Sequence, residues 1–140
     1  MKYSDPYKIL TPNERWAPTK SQMDLFQNAY EKLLPPLVYK IRLAVQEWRE
    51  EDYQGASETT KSLLNFWFSQ EHITGQTKFR FFFSQREAVE SIIYLYEIAK
   101  AKDKYDLLRF DSSERVSTGM FDESWTRYVI KMATGAGKTK

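Results

Sequence analysis

The chain contains no cysteine and a single histidine, His72, among its 140 residues. The lack of cysteine excludes disulfide scaffolds, cysteine-based zinc sites and thiol catalysis within this sequence. One histidine cannot build a multi-histidine metal site, and we expect His72 to be structural or solvated. No apolar run approaches the roughly 20 residues that cross a bilayer, and none follows the N-terminus as a signal peptide would require. These absences predict a cytoplasmic protein with no membrane partner.

Charge is nearly balanced, with 21 basic and 19 acidic residues and a formal net charge of +2. This balance argues against a histone-like polybasic protein, although a local basic patch remains open. Apolar residues make up 41% of the chain and aromatic residues 16%, which is enough to build a core. The length and composition therefore predict one modest folded domain rather than a disordered tail.

The first half has the pattern of a small helical unit. Residues 1–20 are polar and carry three prolines, which predicts an extended arm that Tyr7 and Trp16 pin to a neighbouring surface. Apolar residues then recur at helical spacing over about 21–33, from residue 37 to about 53, and from an N-cap at Ser57 to about 70. We therefore predict that residues 1–78 form a helical N-terminal segment.

The pattern changes at Phe79. Phenylalanines at alternate positions 79, 81 and 83 predict a short extended segment, whose rings either pack in the core or stack nucleic-acid bases. Ser84 and Glu87 have the spacing of a capping box, which predicts a helix over about 85–101. Residues 102–124 are mixed and polar and predict a long connecting insertion. The apolar run 128–132 predicts a strand, followed by a glycine-containing turn.

This turn carries the sharpest chemical signal in the sequence, because glycines and a lysine–threonine pair follow an apolar run directly. Glycine permits positive φ, and successive backbone N–H groups then form a concavity that binds phosphate oxygens. A lysine at this place reaches the β- and γ-phosphates of a nucleotide, and the next hydroxyl ligates Mg²⁺. The predicted phosphate-binding residues are Thr134, Gly135, Ala136, Gly137, Lys138 and Thr139, with Lys138 and Thr139 as the catalytic pair and Thr139 as the metal ligand.

The turn departs from the general phosphate-loop pattern at one position. That pattern opens with a glycine five residues before Gly137, and this chain has Met132 there. A plain glycine turn that happens to precede a lysine is the alternative interpretation. The combination Gly-x-Gly-Lys-Thr directly after a strand-like run favours a phosphate loop.

Residues 132–139 closely resemble motif I of the restriction-enzyme branch of superfamily 2 helicases, the type I and type III restriction translocases, in which other residues replace that glycine. Residues 83–89 resemble the glutamine motif upstream of motif I in that superfamily. The resemblance implies that Gln85 reads the adenine base, and its amide offers the acceptor and the donors that this needs. The alternative is that Gln85 is an exposed first-turn residue. The whole stretch 79–140 resembles type III restriction enzyme Res subunits, including a long connection over 102–127.

The resemblance implies an α/β fold, in which residues 79–140 begin a RecA-like ATPase lobe that uses ATP and Mg²⁺. It also implies a double-stranded DNA partner and a methyltransferase (Mod) subunit partner. Such motors need an acidic motif and a second lobe, so we expect this chain to be a fragment that hydrolyses little or no ATP. Two other functions remain open. One is a helical DNA- or protein-docking module with a non-functional nucleotide site. The other is a different phosphate-loop enzyme, which Met132 and Gln85 disfavour.

Overall fold

The structure is a computed structural model that describes residues 5–12, 37–111, 116, 128–132 and 135–137. About half of these residues are helical, and one small antiparallel sheet accompanies the helices, so the mixed α/β class is confirmed at this coarse level. The predicted helix at about 21–33 and the predicted anchor Trp16 lie outside the described residues. The elements in chain order are α1 (Val38–Glu50), α2 (Glu58–Ser69), β1 (His72–Thr74), β2 (Thr77–Phe79), α3 (Phe83–Ile93), a π-helical turn (Tyr94–Ile98) and α4 (Lys104–Leu108).

Helices α1 and α2 follow the predicted apolar periodicity. Val45 and Trp48 of α1 are buried, and Leu64 of α2 is 1% exposed. Helix α2 begins at the predicted N-cap, because the Ser57 hydroxyl accepts a hydrogen bond from the Thr60 amide at 3.2 Å. This bond satisfies one of the amides that a helix start leaves without a partner. Local pattern alone therefore located both helices correctly.

A β-hairpin joins α2 to α3. Strands β1 and β2 are antiparallel, with His72 opposite Phe79 and Thr74 opposite Thr77. Gly75 in the turn has a φ of 64°, a conformation in which glycine meets no Cβ penalty. Of the alternating phenylalanines, only Phe79 lies in a strand, and Phe83 already begins α3. The hairpin spans the predicted boundary between residues 78 and 79, and that division into two segments stays a prediction.

Helix α3 does not begin where the capping-box pattern predicted. The N-cap is Phe82 rather than Ser84, and the Gln85 side chain accepts a hydrogen bond from the Phe82 amide at 2.7 Å. The side chain that accepts from the N-cap amide is that of Gln85 and not that of Glu87. Glu87 is buried and forms an ion pair with Arg42 of α1 at 3.3 Å. Tertiary pairing with α1 therefore overrode the local capping pattern, and the helix starts two residues earlier than predicted.

The predicted strand over residues 128–132 is wrong. These residues pair with no strand in the described part of the chain, and Val129 is 84% exposed. An apolar run becomes a strand only when a neighbour completes its hydrogen-bond ladder, and the described residues contain only the hairpin as a sheet. The predicted insertion 102–124 is also not entirely loop, since α4 lies within it and is capped by Asp103, which accepts from the Tyr105 amide at 2.8 Å.

The core lies between α1, α3 and the π-helical turn. Trp48 of α1 packs against two tyrosine rings, with centroid distances of 4.9 Å to Tyr53 and 5.6 Å to Tyr94. A second cluster consists of Leu95, Ala101 and Phe110, against which Tyr128 and residues of α1 pack. Within the described ranges, no helix is both long and apolar enough to cross a membrane. The first turn of α3 belongs to this packed group of helices. It approaches the loop that contains Gly135 and Gly137, the glycine loop.

Candidate nucleotide site

The structure brings the predicted adenine-reading glutamine to the predicted phosphate loop, although 52 residues separate them. The Gln85 amide nitrogen donates a hydrogen bond to the carbonyl oxygen of Gly137. The neighbouring Ser84 hydroxyl donates to the carbonyl oxygen of Ala136 at 3.3 Å. The first turn of α3 therefore lies directly against the glycine loop.

Both described loop glycines have the conformation that the sequence predicted. Gly135 has a φ of 81° and Gly137 a φ of 74°, whereas Ala136 between them does not have a positive φ. Alternation of this kind turns successive backbone N–H groups towards a common concavity that suits anions. Glycine at 137 also permits a close approach, since an added Cβ would lie 2.7 Å from the Gln85 amide nitrogen and 3.1 Å from the Phe82 ring.

Three of the predicted site residues, Thr134, Lys138 and Thr139, lie outside the described residues. Their roles towards phosphate and Mg²⁺ therefore stay predictions. Among the residues that the structure describes, no group of three His, Cys, Asp or Glu side chains could hold a metal ion.

The Gln85 amide keeps hydrogen-bonding capacity for a ligand. Its oxygen accepts from the Phe82 amide and its nitrogen donates to the Gly137 carbonyl. A primary amide has two donors and two acceptor lone pairs, so one of each remains. An adenine edge requires one donor and one acceptor from its reader. Gln85 does lie in the first turn of α3, as in the alternative interpretation, but it is half-buried rather than exposed.

The N-terminal arm holds the first turn of α3 from the other side. The Pro6 carbonyl accepts a hydrogen bond from the Phe83 amide at 2.9 Å. The Tyr7 ring packs against Phe82 with a centroid distance of 5.4 Å, and the Arg80 guanidinium lies 5.1 Å from the Tyr7 centroid. Tyr7 thus acts as the predicted anchor of the arm.

A buried ion cluster lies behind this turn and was not identified from the sequence. Glu90 of α3 is fully buried and binds Arg49 of α1 through two guanidinium nitrogens. Its carboxylate also accepts from Arg86 at 2.8 Å and from the Tyr53 hydroxyl at 2.6 Å. Arg86 donates in turn to the Tyr53 hydroxyl at 2.7 Å. Two cations and a hydroxyl therefore compensate one buried carboxylate.

The pKa shifts in this cluster follow from burial and from these contacts. Burial raises the pKa of Glu90, but the hydrogen bonds and charge of Arg49, together with bonds from Tyr53 and Arg86, outweigh it and hold the pKa below its ordinary value. Burial and the neighbouring Glu90 carboxylate raise the pKa of Tyr53 to about 12. The cluster is therefore ionised at Glu90 and neutral at Tyr53 near neutral pH.

An open pocket of about 380 Å³ lies between the hairpin, the end of α2 and the arm. Its lining combines aromatic rings with cationic side chains, including Tyr7, Trp67, Phe68, Phe81, Lys78 and Arg80. The phenylalanine rings pack edge to face, with 5.5 Å between the centroids of Phe68 and Phe81. The His72 ring packs edge to face against Phe81, with 5.9 Å between the centroids, and its Nε2 lies 3.2 Å from the Trp67 carbonyl oxygen.

Comparisons with protein-family models, with curated proteins and with solved structures found no match to this chain.

Proposed function

We propose that this chain is the ATP-binding N-terminal part of an ATP-dependent DNA translocase or helicase, of the kind found as the Res subunit of a restriction–modification system. In this proposal residues 79–140 begin a RecA-like lobe. Gln85 reads adenine, the loop from Thr134 to Thr139 holds the phosphates, and Thr139 ligates Mg²⁺. Double-stranded DNA and a methyltransferase subunit are the partners that such a protein uses.

One observation carries the proposal: Gln85 contacts Gly137 across 52 residues. The residue predicted to contact the base and the loop predicted to contact the phosphates meet in space. A nucleotide binds both groups at once, so a nucleotide site requires this proximity, whereas two unrelated surface features do not. The positive φ of Gly135 and Gly137 supports the same reading, because it suits a loop that binds anions through its backbone.

Nucleotide binding by the purified chain tests the proposal. We expect a fluorescent ATP analogue to bind in the presence of Mg²⁺, and Lys138→Ala to weaken that binding at least about tenfold, since a charge-assisted contact to phosphate is lost. Lys131→Ala is the matched control, because Lys131 is exposed and precedes the loop. Equal binding by the wild type and the Lys138 variant would contradict the proposal.

Base selectivity provides a second test at Gln85. Gln85→Glu keeps an oxygen for the Phe82 amide but replaces the donor side of the amide with an acceptor. We expect the preference for ATP over GTP to fall, because the donor that adenine requires is gone. Gln76→Glu, an exposed change in the hairpin turn, should leave the preference intact. A preference unchanged in the Gln85 variant would show that Gln85 does not read the base.

The pocket favours a second candidate function, a nucleic-acid docking module. Bases stack on aromatic side chains, and nearby cations bind the backbone in a salt-dependent manner. If this function holds, a single-stranded oligonucleotide binds more weakly as salt rises, and Arg80→Ala reduces both the affinity and the salt dependence. Lys61→Ala, outside the pocket lining, serves as the control. Equal oligonucleotide affinity and salt dependence in the wild type and in Arg80→Ala would exclude the pocket as the docking site.

A further inference from the structure

Two consecutive residues of α3 hold two consecutive carbonyl groups of the glycine loop. Ser84 donates its hydroxyl hydrogen to the Ala136 oxygen, and Gln85 donates an amide hydrogen to the Gly137 oxygen. Both bonds use the acceptor side of the loop backbone. Neither bond uses a loop N–H group, which is the type of group that an anion would need.

The geometry of the peptide group fixes the direction of the Gly137 N–H. In a trans peptide, the C=O and the N–H of the same group point in opposite directions, and the described chain contains no cis peptide bond. The carbonyl of Ala136 points towards Ser84, so the N–H of Gly137 points away from α3. Neither Ser84 nor Gln85 therefore uses this N–H group.

Hydrogen bonds within the protein fix the first turn of α3 independently of any ligand. The Phe83 amide donates to the Pro6 carbonyl at 2.9 Å, and the Phe82 amide donates to the Gln85 oxygen at 2.7 Å. These bonds hold the first turn of α3 before a nucleotide arrives. A loop attached to this turn loses less conformational entropy when a ligand binds. A smaller entropy loss makes binding stronger.

We propose that Ser84 is a positioning residue for the phosphate groups of the nucleotide. Its hydroxyl orients the Ala136–Gly137 peptide group so that the Gly137 amide is ready to donate to a phosphate oxygen. This inference rests on the proposed nucleotide-binding function. It adds that Ser84 positions the loop for the phosphates, whereas Gln85 also contacts the base.

The test compares three ligands with Mg²⁺: ATP, GTP and inorganic tripolyphosphate. Ser84→Ala should weaken all three by the same factor, about 2- to 12-fold, which is the usual contribution of one hydrogen bond. The ratio of ATP to GTP affinity should not change, because Ser84 contacts backbone and not base. Ser84→Thr restores a hydroxyl and should restore affinity, and Ser62→Ala, an exposed serine of α2, should have no effect.

The outcomes separate this inference from the proposed function. If the wild type binds the ligands and Ser84→Ala binds them equally well, the positioning role is wrong and the nucleotide site stands. If Ser84→Ala weakens ATP but not tripolyphosphate, Ser84 acts on the base, and the inference is overturned. If the wild type binds none of the three ligands, the nucleotide site fails, and the role of Ser84 fails with it.

Discussion

Replacing Glu90 with glutamine should destabilise the fold more than any surface substitution, because it leaves Arg49 and Arg86 without their buried counter-charge. Glu90 is 0% exposed and receives bonds from both arginines and from Tyr53. Breaking a buried ion pair by removing one partner costs about 3–5 kcal/mol. The net stability of a small domain is only about 5–15 kcal/mol, so we expect a large fraction of it to be lost.

Urea denaturation followed by circular dichroism measures this loss. With an m-value of about 2 kcal/mol per M, a loss of about 4 kcal/mol lowers the unfolding midpoint by about 2 M. Glu71→Gln is the matched control. Its ion pair with Lys78 is also short, at 2.9 Å, but the two side chains are 72% and 73% exposed. An exposed ion pair contributes about 0–1 kcal/mol, so the unfolding midpoint of the control variant should barely shift.

A loss of less than about 1 kcal/mol in Glu90→Gln would show that burial does not decide the strength of this ion pair, because exposed pairs already contribute that much. The effect should also depend on pH. The pKa of Glu90 lies below its ordinary value of 4.5 in the folded state, so its stabilising contribution is fully present above that value. The contribution is lost as the pH falls through the lower folded-state pKa, and the stabilities of wild type and variant should converge there.

Two further substitutions test the contacts that α3 makes with Tyr53 and with Gly137. Tyr53→Phe removes a hydroxyl whose pKa is raised from 10.0 to about 12, so its contribution is present below pH 10 and is lost as the pH rises towards 12. The free-energy difference from wild type should therefore shrink over that range, and a constant difference would contradict the shifted pKa. Gly137→Ala should weaken nucleotide binding strongly, because its Cβ would lie 2.7 Å from the Gln85 amide nitrogen. Gly75→Ala, which also has positive φ but no atom within 4 Å of an added Cβ, should reduce stability only slightly and spare binding.

The start of α3 shows where local patterns stop being sufficient. The spacing of Ser84 and Glu87 matched a capping box, yet the helix begins at Phe83 and the reaching side chain is Gln85. Capping patterns describe what a side chain can do for its own helix. Here Glu87 pairs with Arg42 of α1 instead, and Ser84 turns to the glycine loop. Both partners are remote in sequence, so no local rule could favour them.

Glu90 illustrates the same limit for the core. In the sequence it is one charged residue among many, and charged residues are mostly solvated. Its burial depends on Arg49, 41 residues away, and Tyr53, 37 residues away. Only helix packing brings these groups together, and without them the carboxylate would be too costly to bury.

The sequence by itself determined what depends on near neighbours. Helical spacing located α1 and α2, Ser57 supplied a cap, and Gly135 and Gly137 supplied the positive φ that the loop requires. The tertiary structure alone decided what depends on distant partners. It placed Gln85 on the glycine loop and buried Glu90. Within the described part of the chain it also left residues 128–132 without a pairing strand, and a strand exists only where another strand pairs with it.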